Sequence, residues 1–331
     1  MKLKLNADDV GDGSQAKVMA NTTMQIRLGA RGSMLSRLQS GMVAAELEKL
    51  RPGLKVELVV VKTSGDTIQD RPLHEFGGKG LFTKELEQAL LAGDVDFAVH
   101  SFKDVPVTMP LVAQDELLMA AVPAREDARD ALASFKGRSL KELPRGAKVG
   151  TGSLRRQSQV LALRPDLEVV PIRGNVDTRL RKLRDGEYDA VILAMAGLKR
   201  SGLYDNKAMT AISVDELLPS AGQGALALQC RKADAQTCEI LGLMNDPVTY
   251  KCVELEREVV RRLEGDCHSP IAALAEIHGD RVQLRAVVAG RDGHPPVIRA
   301  AAETPLSDAT RAVDQVLASL EAQGAMKLLR G

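Results

Sequence analysis

Three sets of side chains in this 331-residue sequence have the types and spacing to do chemistry. The first is Lys103-Asp104, which closes the stretch Asp94 to Pro106 just past the apolar run Phe97-Ala98-Val99. Pro106 blocks a clean continuation of a strand, and in open α/β sheets chemistry collects beyond the carboxyl ends of strands. A lysine beside a carboxylate there can hold an anion and handle a proton, although on its own the pair reads more readily as two charges on a solvated loop. The second set is Arg31, Arg155, Arg156, Arg173, Arg179 and Arg200, each at or just after an expected strand end or in the first turn of the next helix. Guanidinium groups gathered at one cleft repel each other unless an anion stands between them. Arginine grips carboxylate or phosphate with a two-pronged fork, and helix N-termini add N–H donors, so the implied ligand is a polyanion. Arg181, Lys182 and Arg184 fall instead on the solvated face of a helix whose buried stripe is Val176, Leu180 and Leu183.

The third set is Cys267 within Glu264-Gly265-Asp266-Cys267-His268-Ser269-Pro270. Gly265 permits a tight turn, which puts the thiol on a loop; an inert, half-buried thiol fits the residues equally well. Cys230, Cys238 and Cys252 fall on an expected strand and on helical stretches and read as inert. No Cys-x-x-Cys is present, so no metal site is expected, and the thiols read as reduced, as in a cytoplasmic protein. Gly77-Gly78-Lys79-Gly80 lacks the hydroxyl residue that follows Gly-Lys in a phosphate loop, which excludes a nucleotide loop. His74, His278 and His294 gain no role from their pattern, and His100 reads as structural.

The elements that position these groups come in repeated order. Ile26–Leu28 reads as a strand running into a turn at Gly29–Ser33. A helix follows with Leu35, Leu38, Met42, Ala45 and Leu50 at helical spacing, stopped by Arg51-Pro52-Gly53. Lys55–Val61 is the next strand, the segment 64–80 reads as mobile over a cleft, and a helix from about Leu81 to Leu91 leads back to Phe97. Val149-Gly150-Thr151-Gly152-Ser153-Leu154-Arg155 then repeats the strand, glycine, serine, arginine and helix of the first half. Leu167–Ile172 repeats the second strand, and Asp185–Leu193 repeats Ala92–Val99. The expectation is two similar doubly wound α/β lobes, like a periplasmic binding protein, facing one another across a ligand cleft. The chain crosses near Pro123–Ala128 and returns near Leu218–Gly224, with Ala225–Gln229 as the returning strand. From about Asn245 the pattern changes to a helix capped by Asp246-Pro247, strands at Ile271–Ile277, Arg281–Ala289 and Val297–Ala301, and a last helix from Ser307. The expected division is a flexible tail over 1–24, a first α/β domain over 25–123 with 220–243, a second over 124–219, and a small α+β domain over 244–331 carrying Cys267.

Composition narrows the function classes. Hydrophobic content is 44%, charged content 27% and net charge +1, which fits a soluble globular protein without the basic field of a nucleic-acid binder. Aromatics are 2% with no Trp, so stacking platforms for single strands are poorly supported. No apolar run reaches the length of a membrane span, and residues 1–24 lack the apolar core of an export signal. No nucleic-acid or membrane partner is expected. No segment marks an oligomer interface, which leaves a monomer.

Taken together, the segments resemble the porphobilinogen deaminase (hydroxymethylbilane synthase) family. The resemblance is carried by Gly77–Phe82, Val99–Pro106, Gly150–Arg156, Arg173–Val176, Ala196–Arg200, Gly222–Ala225 and Glu264–Cys267, in order from about residue 26 to 290. It implies a transferase that joins four porphobilinogen molecules head to tail with loss of ammonia, then frees hydroxymethylbilane by hydrolysis, in tetrapyrrole (haem or chlorophyll) biosynthesis. It implies a dipyrromethane cofactor in thioether linkage to Cys267, held by Ser153, Arg155, Arg156, Lys103 and Asp104. Asp104 is the implied catalytic carboxylate, with Lys103 beside it, stabilising the cationic azafulvene left by ammonia. Arg31, Ser33, Arg173, Arg179, Arg200 and Lys79 are the implied binders of substrate and growing chain, whose paired carboxylates supply the polyanion. Gly152, where the family often has Ser, departs from the pattern. So do Met34, Ser36-Arg37, Asp266 and His268, but none of these is one of the chemical groups themselves. The rivals are a two-lobed solute-binding protein, which needs no Cys267 and comes with an export signal, and an anion-sensing regulator, for which no helix-turn-helix is evident.

Overall fold

The computed structural model describes residues 24–63, 83–107, 115–266 and 269–330. The expected mobile segment 64–80 and, apart from Met24, the expected tail lie outside them. In chain order the first half contains β1 (Met24–Arg31), α1 (Met34–Leu50), β2 (Leu54–Val61), α2 (Lys84–Ala92), β3 (Phe97–Ser101) and β4 (Leu117–Ala121). The second contains β5 (Asp130–Ser134), β6 (Lys148–Gly150), α3 (Leu154–Leu163), β7 (Glu168–Val170), α4 (Val176–Arg184), β8 (Ala190–Ala194), α5 (Met195–Arg200) and β9 (Met209–Ala211). The chain then continues through β10 (Leu226–Arg231), α6 (Ala235–Gly242) and α7 (Pro247–Arg262). It ends with β11 (Ile271–His278), β12 (Arg281–Ala289), β13 (Val297–Pro305), α8 (Ala309–Ala322) and α9 (Ala325–Arg330).

The two large sheets have the same plan. The first runs β2-β1-β3-β10-β4 and the second β7-β6-β8-β5-β9. In each, three parallel strands are followed by one antiparallel strand, β10 against β3 and β5 against β8. In both cases the antiparallel strand is the first strand after the chain crosses between lobes. β4 belongs to the first sheet and β5 to the second, so the chain passes between lobes over 122–129 and returns before β10.

Side-chain alternation shows why each sheet is covered on both faces. In β3, Phe97 and Val99 pack with Val43 and Leu47 of α1, while Ala98 faces Leu86 and Leu90 of α2. In the second lobe, Leu132 and Ile192 meet Val160 of α3, whereas Ala131, Val191 and Leu193 meet Leu180 and Leu183 of α4. The α1 stripe differs from the one expected: Leu38, Met42 and Leu50 are exposed, and Ser36, Gln39, Ser40, Val43 and Leu47 are buried. Ser36 and Gln39 hold that face because they have partners there, whereas the buried Ser40 hydroxyl has none among the described residues. Ser36 Oγ accepts the Arg31 N–H at 3.2 Å, and Ser101 Oγ donates to Gln39 Oε1 at 3.2 Å. Strands β4, β5 and β9 were not expected, helix α6 carries Cys238 on the helical stretch expected for it, and β7 is shorter than the strand read at Leu167–Ile172.

The third sheet is antiparallel, β11-β12-β13, with α7 and α8 on one face through Leu255, Val259, Val313 and Val316. Its other face, Ala272, Leu274 and Val287, packs on Leu218 of the return crossing. A buried ion pair fastens this unit to both crossings. Glu256 of α7 takes both prongs of Arg125 at 2.6 and 3.1 Å and also accepts the Gly222 and Ala275 N–H groups at 2.7 and 2.9 Å. At Gly224, φ is +87° and an added Cβ would lie 2.3 Å from the Glu126 carbonyl oxygen, so only glycine lets the crossings approach this closely.

Candidate active site

Past the end of β3 the chain tightens into one 3-10 turn, Phe102–Asp104, that presents Lys103 and Asp104. Arg257 of α7 holds this turn from behind. It donates to the Val105 and Pro106 carbonyls at 2.8 and 2.6 Å and stacks over the Phe102 ring at 4.7 Å. Burial pulls its guanidinium down to about 10. Arg257 drew no notice in the sequence, because an arginine on a charged amphipathic helix looks like surface.

Asp104 lies where two cavities meet. The larger, about 170 Å³, is lined by Lys103, Asp104, Ser153, Arg155, Arg156, Gln223, Arg257, Asp266 and Ser269 among others. The smaller, about 70 Å³, is lined by Arg31, Ser33, Gln39, His100 and Asp104 among others. Ser33 and Ser153 stand at equivalent N-caps of α1 and α3. Ser33 spends its hydroxyl on the Ser36 N–H at 3.3 Å, whereas the Ser153 hydroxyl makes no cap bond and lines the larger cavity.

Arg155 and Arg156 are almost wholly buried rather than open to the cleft. The anion that stands between them is one the sequence reading missed, Asp130 at the head of β5. Arg155 donates to Asp130 Oδ2 at 2.8 Å and Arg156 to Oδ1 at 3.1 and 2.7 Å. Gln223 Nε2 adds a bond to Oδ1 at 2.9 Å. Although burial opposes the charge, the two guanidinium groups hold this carboxyl well below the usual carboxylate range. Asp104 is therefore not the only acid among the arginines. Asp130 is the internal counter-ion, and Asp104 is the carboxylate that lines both cavities. The only sequence signal for Asp130 was an acid opening the apolar run Ala131-Leu132-Ala133.

Gln223 joins the two lobes chemically. Its amide nitrogen serves Asp130 and the Ala128 carbonyl, and its Oε1 accepts from Lys103 Nζ at 3.4 Å. Burial, helped by Arg156 and Arg155 and opposed by Asp104 and Asp130, lowers the Lys103 ammonium to about 8. Between that value and the ordinary ~10.4 the unfolded chain binds the extra proton, so the cost of burying this charge eases as pH rises through that window. Competitive acylation with peptide mapping will show Lys103 reaching half-maximal reactivity near pH 8, well ahead of ordinary lysines. A Lys103 curve that follows the bulk lysines overturns this.

The other expected site residues divide by place. Arg31 and Ser33 line the smaller cavity. Arg179 lies near both Arg156 and Arg173, and burial with this repulsion takes it to about 10 while its Nε donates to the Gly174 carbonyl at 2.8 Å. Arg200 lines neither cavity; it donates to the Gly224 carbonyl at 2.8 Å, at the crossings. His100 is buried on Gln229 Oε1 at 2.9 Å and is lowered to about 4 by burial, so it stays neutral, as a structural histidine does. Lys79 and Cys267, with His74 and His268, lie outside the described residues. Asp266 and Ser269, which bracket Cys267 in sequence, bond each other through Ser269 N–H to Asp266 Oδ1 at 2.8 Å and Asp266 N–H to Ser269 Oγ at 2.9 Å. The turn before them differs from expectation: Glu264 takes the left-handed conformation at φ +56°. At Gly265 an added Cβ would lie 2.4 Å from Ile271 Cδ1, so that side-chain end would have to shift to admit any other residue. Among the described residues no cluster of potential metal ligands occurs.

Residues 26–239 match the sequence model of "Porphobilinogen deaminase, dipyromethane cofactor binding domain", and residues 250–322 match that of the "Porphobilinogen deaminase, C-terminal domain". A porphobilinogen deaminase of Syntrophobacter fumaroxidans is 48% identical over 272 residues, covering 82% of this chain and 86% of that protein. One of Syntrophotalea carbinolica is 45% identical over 92% of this chain and 95% of its own length. One of Geobacter sulfurreducens is 46% identical over 92% of this chain and 94% of its own. Among solved structures, the methionine-binding protein MetQ superposes with a TM-score of 0.42 at 16% identity, covering 70% of this chain and 94% of that one; this adds nothing to what the strand order establishes.

Proposed function

The chain belongs to the porphobilinogen deaminase family, and from that premise we propose that Asp104, Lys103 and Cys267 carry its chemistry. The enzyme is a hydroxymethylbilane synthase of tetrapyrrole biosynthesis, joining porphobilinogen molecules head to tail with release of ammonia. The observation that carries the assignment of roles is Asp104's position, shared by a cavity rich in lobe-two donors and a cavity bearing Arg31 and Ser33.

The larger cavity suits a group bearing several carboxylates. Lys103, Arg257 and the uncommitted Ser153 hydroxyl line it, and Asp266 and Ser269 bring the chain to either side of Cys267. A dipyrromethane in thioether linkage to Cys267 would be held there by Ser153, Lys103, Arg155 and Arg156. When bound, it supplies the pyrrole carbon to which the first substrate is joined. Substrate enters on the Arg31 and Ser33 side. Arg173, Arg179, Arg200 and Lys79 hold its side-chain carboxylates and those of the lengthening product. Asp104, between the two cavities, faces the pyrrole nitrogen as ammonia leaves the substrate. Its charge offsets the developing cation, and its oxygens accept and return the proton. Asp130 keeps Arg155 and Arg156 fixed without occupying the cavity.

The units carrying this work are residues 25–123 with 220–243, 124–219 and 244–331. The protein works as a cytoplasmic monomer on a small molecule, with no nucleic-acid or membrane partner. A net charge of +1 and few aromatics support the lack of a nucleic-acid partner; no helix among the described residues is long and apolar enough to cross a membrane. Intact-protein mass spectrometry tests the central assignment. The purified protein should exceed its sequence mass by one dipyrromethane, and the excess should vanish in Cys267→Ala. A chain at bare sequence mass that stays bare after incubation with porphobilinogen sinks the proposal.

A further inference from the structure

Two thiols the chemistry does not use touch each other. Cys230 on β10 is fully buried among Phe97, Val99 and Ile240, and Cys238 on α6 is half-buried; their sulfurs are 3.5 Å apart. Neither lines a cavity. The turn between them is held by other bonds. Asp234 accepts the Thr237 N–H at 3.0 Å and pairs with Arg231 at 3.1 Å. Arg231 is itself anchored on the Leu90 and Val95 carbonyls at 2.7 Å and on Asp96 at 3.1 Å. The thiols are thus presented to each other by a fixed turn. A disulfide needs a separation of about 2.0 Å, so the two sulfurs at 3.5 Å have to close by about 1.5 Å.

We propose that Cys230 and Cys238 are a reversible dithiol–disulfide pair, an oxidation site separate from the catalytic cavities, with a hydroperoxide as the oxidant. The Cys238 sulfur attacks one peroxide oxygen and the O–O bond breaks. Cys238 becomes a sulfenic acid, and the other oxygen leaves as water with the thiol proton. Cys230 sulfur then attacks the Cys238 sulfur, the S–O bond breaks, and a second water leaves with the Cys230 proton. One hydrogen peroxide is reduced to water while the pair loses two hydrogens; a dithiol reductant reverses the change. The order follows from access, since Cys238 is half-buried and Cys230 buried. The product ties α6 to β10. Cys230 pairs with Phe97 at the start of β3, whereas Asp104 follows the far end, beyond Ser101↔Leu226. Oxidation therefore tightens the lobe and spares the reaction.

The test uses the loaded enzyme and hydrogen peroxide, followed by alkylation and non-reducing peptide mapping. The expected result is one crosslinked 230–238 species about 2 Da lighter than the dithiol. Dithiothreitol should reverse it, melting temperature should rise, and turnover should hold. Cys238→Ser should abolish the crosslink and the rise in melting temperature, while Cys252→Ser keeps both. The proposal is overturned if both thiols stay alkylatable, if Cys238 proceeds to sulfinic acid without pairing, or if the bond joins another cysteine. A folding defect in Cys238→Ser leaves the wild-type map to decide.

Discussion

Asp104→Asn is expected to give a folded protein that still acquires its dipyrromethane and turns over about 10²–10⁴-fold more slowly. Folding should survive because the turn does not depend on this carboxylate. Val105 N–H bonds Phe102 O at 3.1 Å, and Arg257 grips the two following carbonyls. Asparagine fills the same volume, so the cavities keep their shape. Attachment should survive because the cofactor's carboxylates have their own holders in Ser153, Lys103, Arg155 and Arg156. What disappears is a fixed negative charge beside the carbon that loses ammonia. An amide offers a dipole but neither a full charge nor a basic oxygen, so the loss falls on kcat more than on KM. Intact mass reports attachment and steady-state kinetics report turnover. Full turnover in this variant moves the catalytic role elsewhere; a bare, inactive chain would mean that Asp104 is needed to load the cofactor instead.

The parts of the fold written in local pattern were legible. The repeated strand, glycine, serine and helix placed both lobes, and Gly93, Asp246 and Gly279 stop, cap and turn the chain where expected. Periodicity failed where partners override hydropathy. Helix α1 buries Gln39 and Ser40 and exposes Met42 because Ser36 and Gln39 find hydrogen bonds on the inner face. Strand β4, Leu-Leu-Met-Ala-Ala, has no β-branched residue and no alternation, so only its pairing with β10 reveals it. The same limit applies at the site. Lys103-Asp104 and the strand-end arginines stand out by position, whereas Asp130, Gln223 and Arg257 matter through contacts between segments 25 to 152 residues apart. The six expected arginines come without their internal counter-ion in the sequence pattern, and the distances divide them. Two arginines are locked on Asp130, Arg179 feels the charges of both Arg156 and Arg173, Arg31 is in the second cavity, and Arg200 is at the crossings.

That internal counter-ion sets the other large expected effect. Asp130→Asn keeps the shape of the side chain but leaves two buried guanidinium groups facing each other, and breaking a buried pair from one side costs about 3–5 kcal/mol. Thermal unfolding should show a loss of that order, and the chain should fail to load its cofactor, because Arg155 and Arg156 are no longer held at the cavity wall. Stability and function separate in the triple variant Asp130→Asn, Arg155→Gln, Arg156→Gln. With all three charges gone no uncompensated ion remains, so most of the stability should return while loading should not. Acid should act as the single substitution does. The folded-state value of Asp130 lies below the unfolded one, so its contribution is complete above about pH 4, the ordinary carboxyl range, and is lost as pH falls through the depressed folded value. The wild-type protein should therefore hold its second lobe well into the acid range, and Asp130→Asn should lose that part of its pH dependence. If Asp130→Asn melts like the wild type and loads normally, Asp130 is not the group that organises the two arginines.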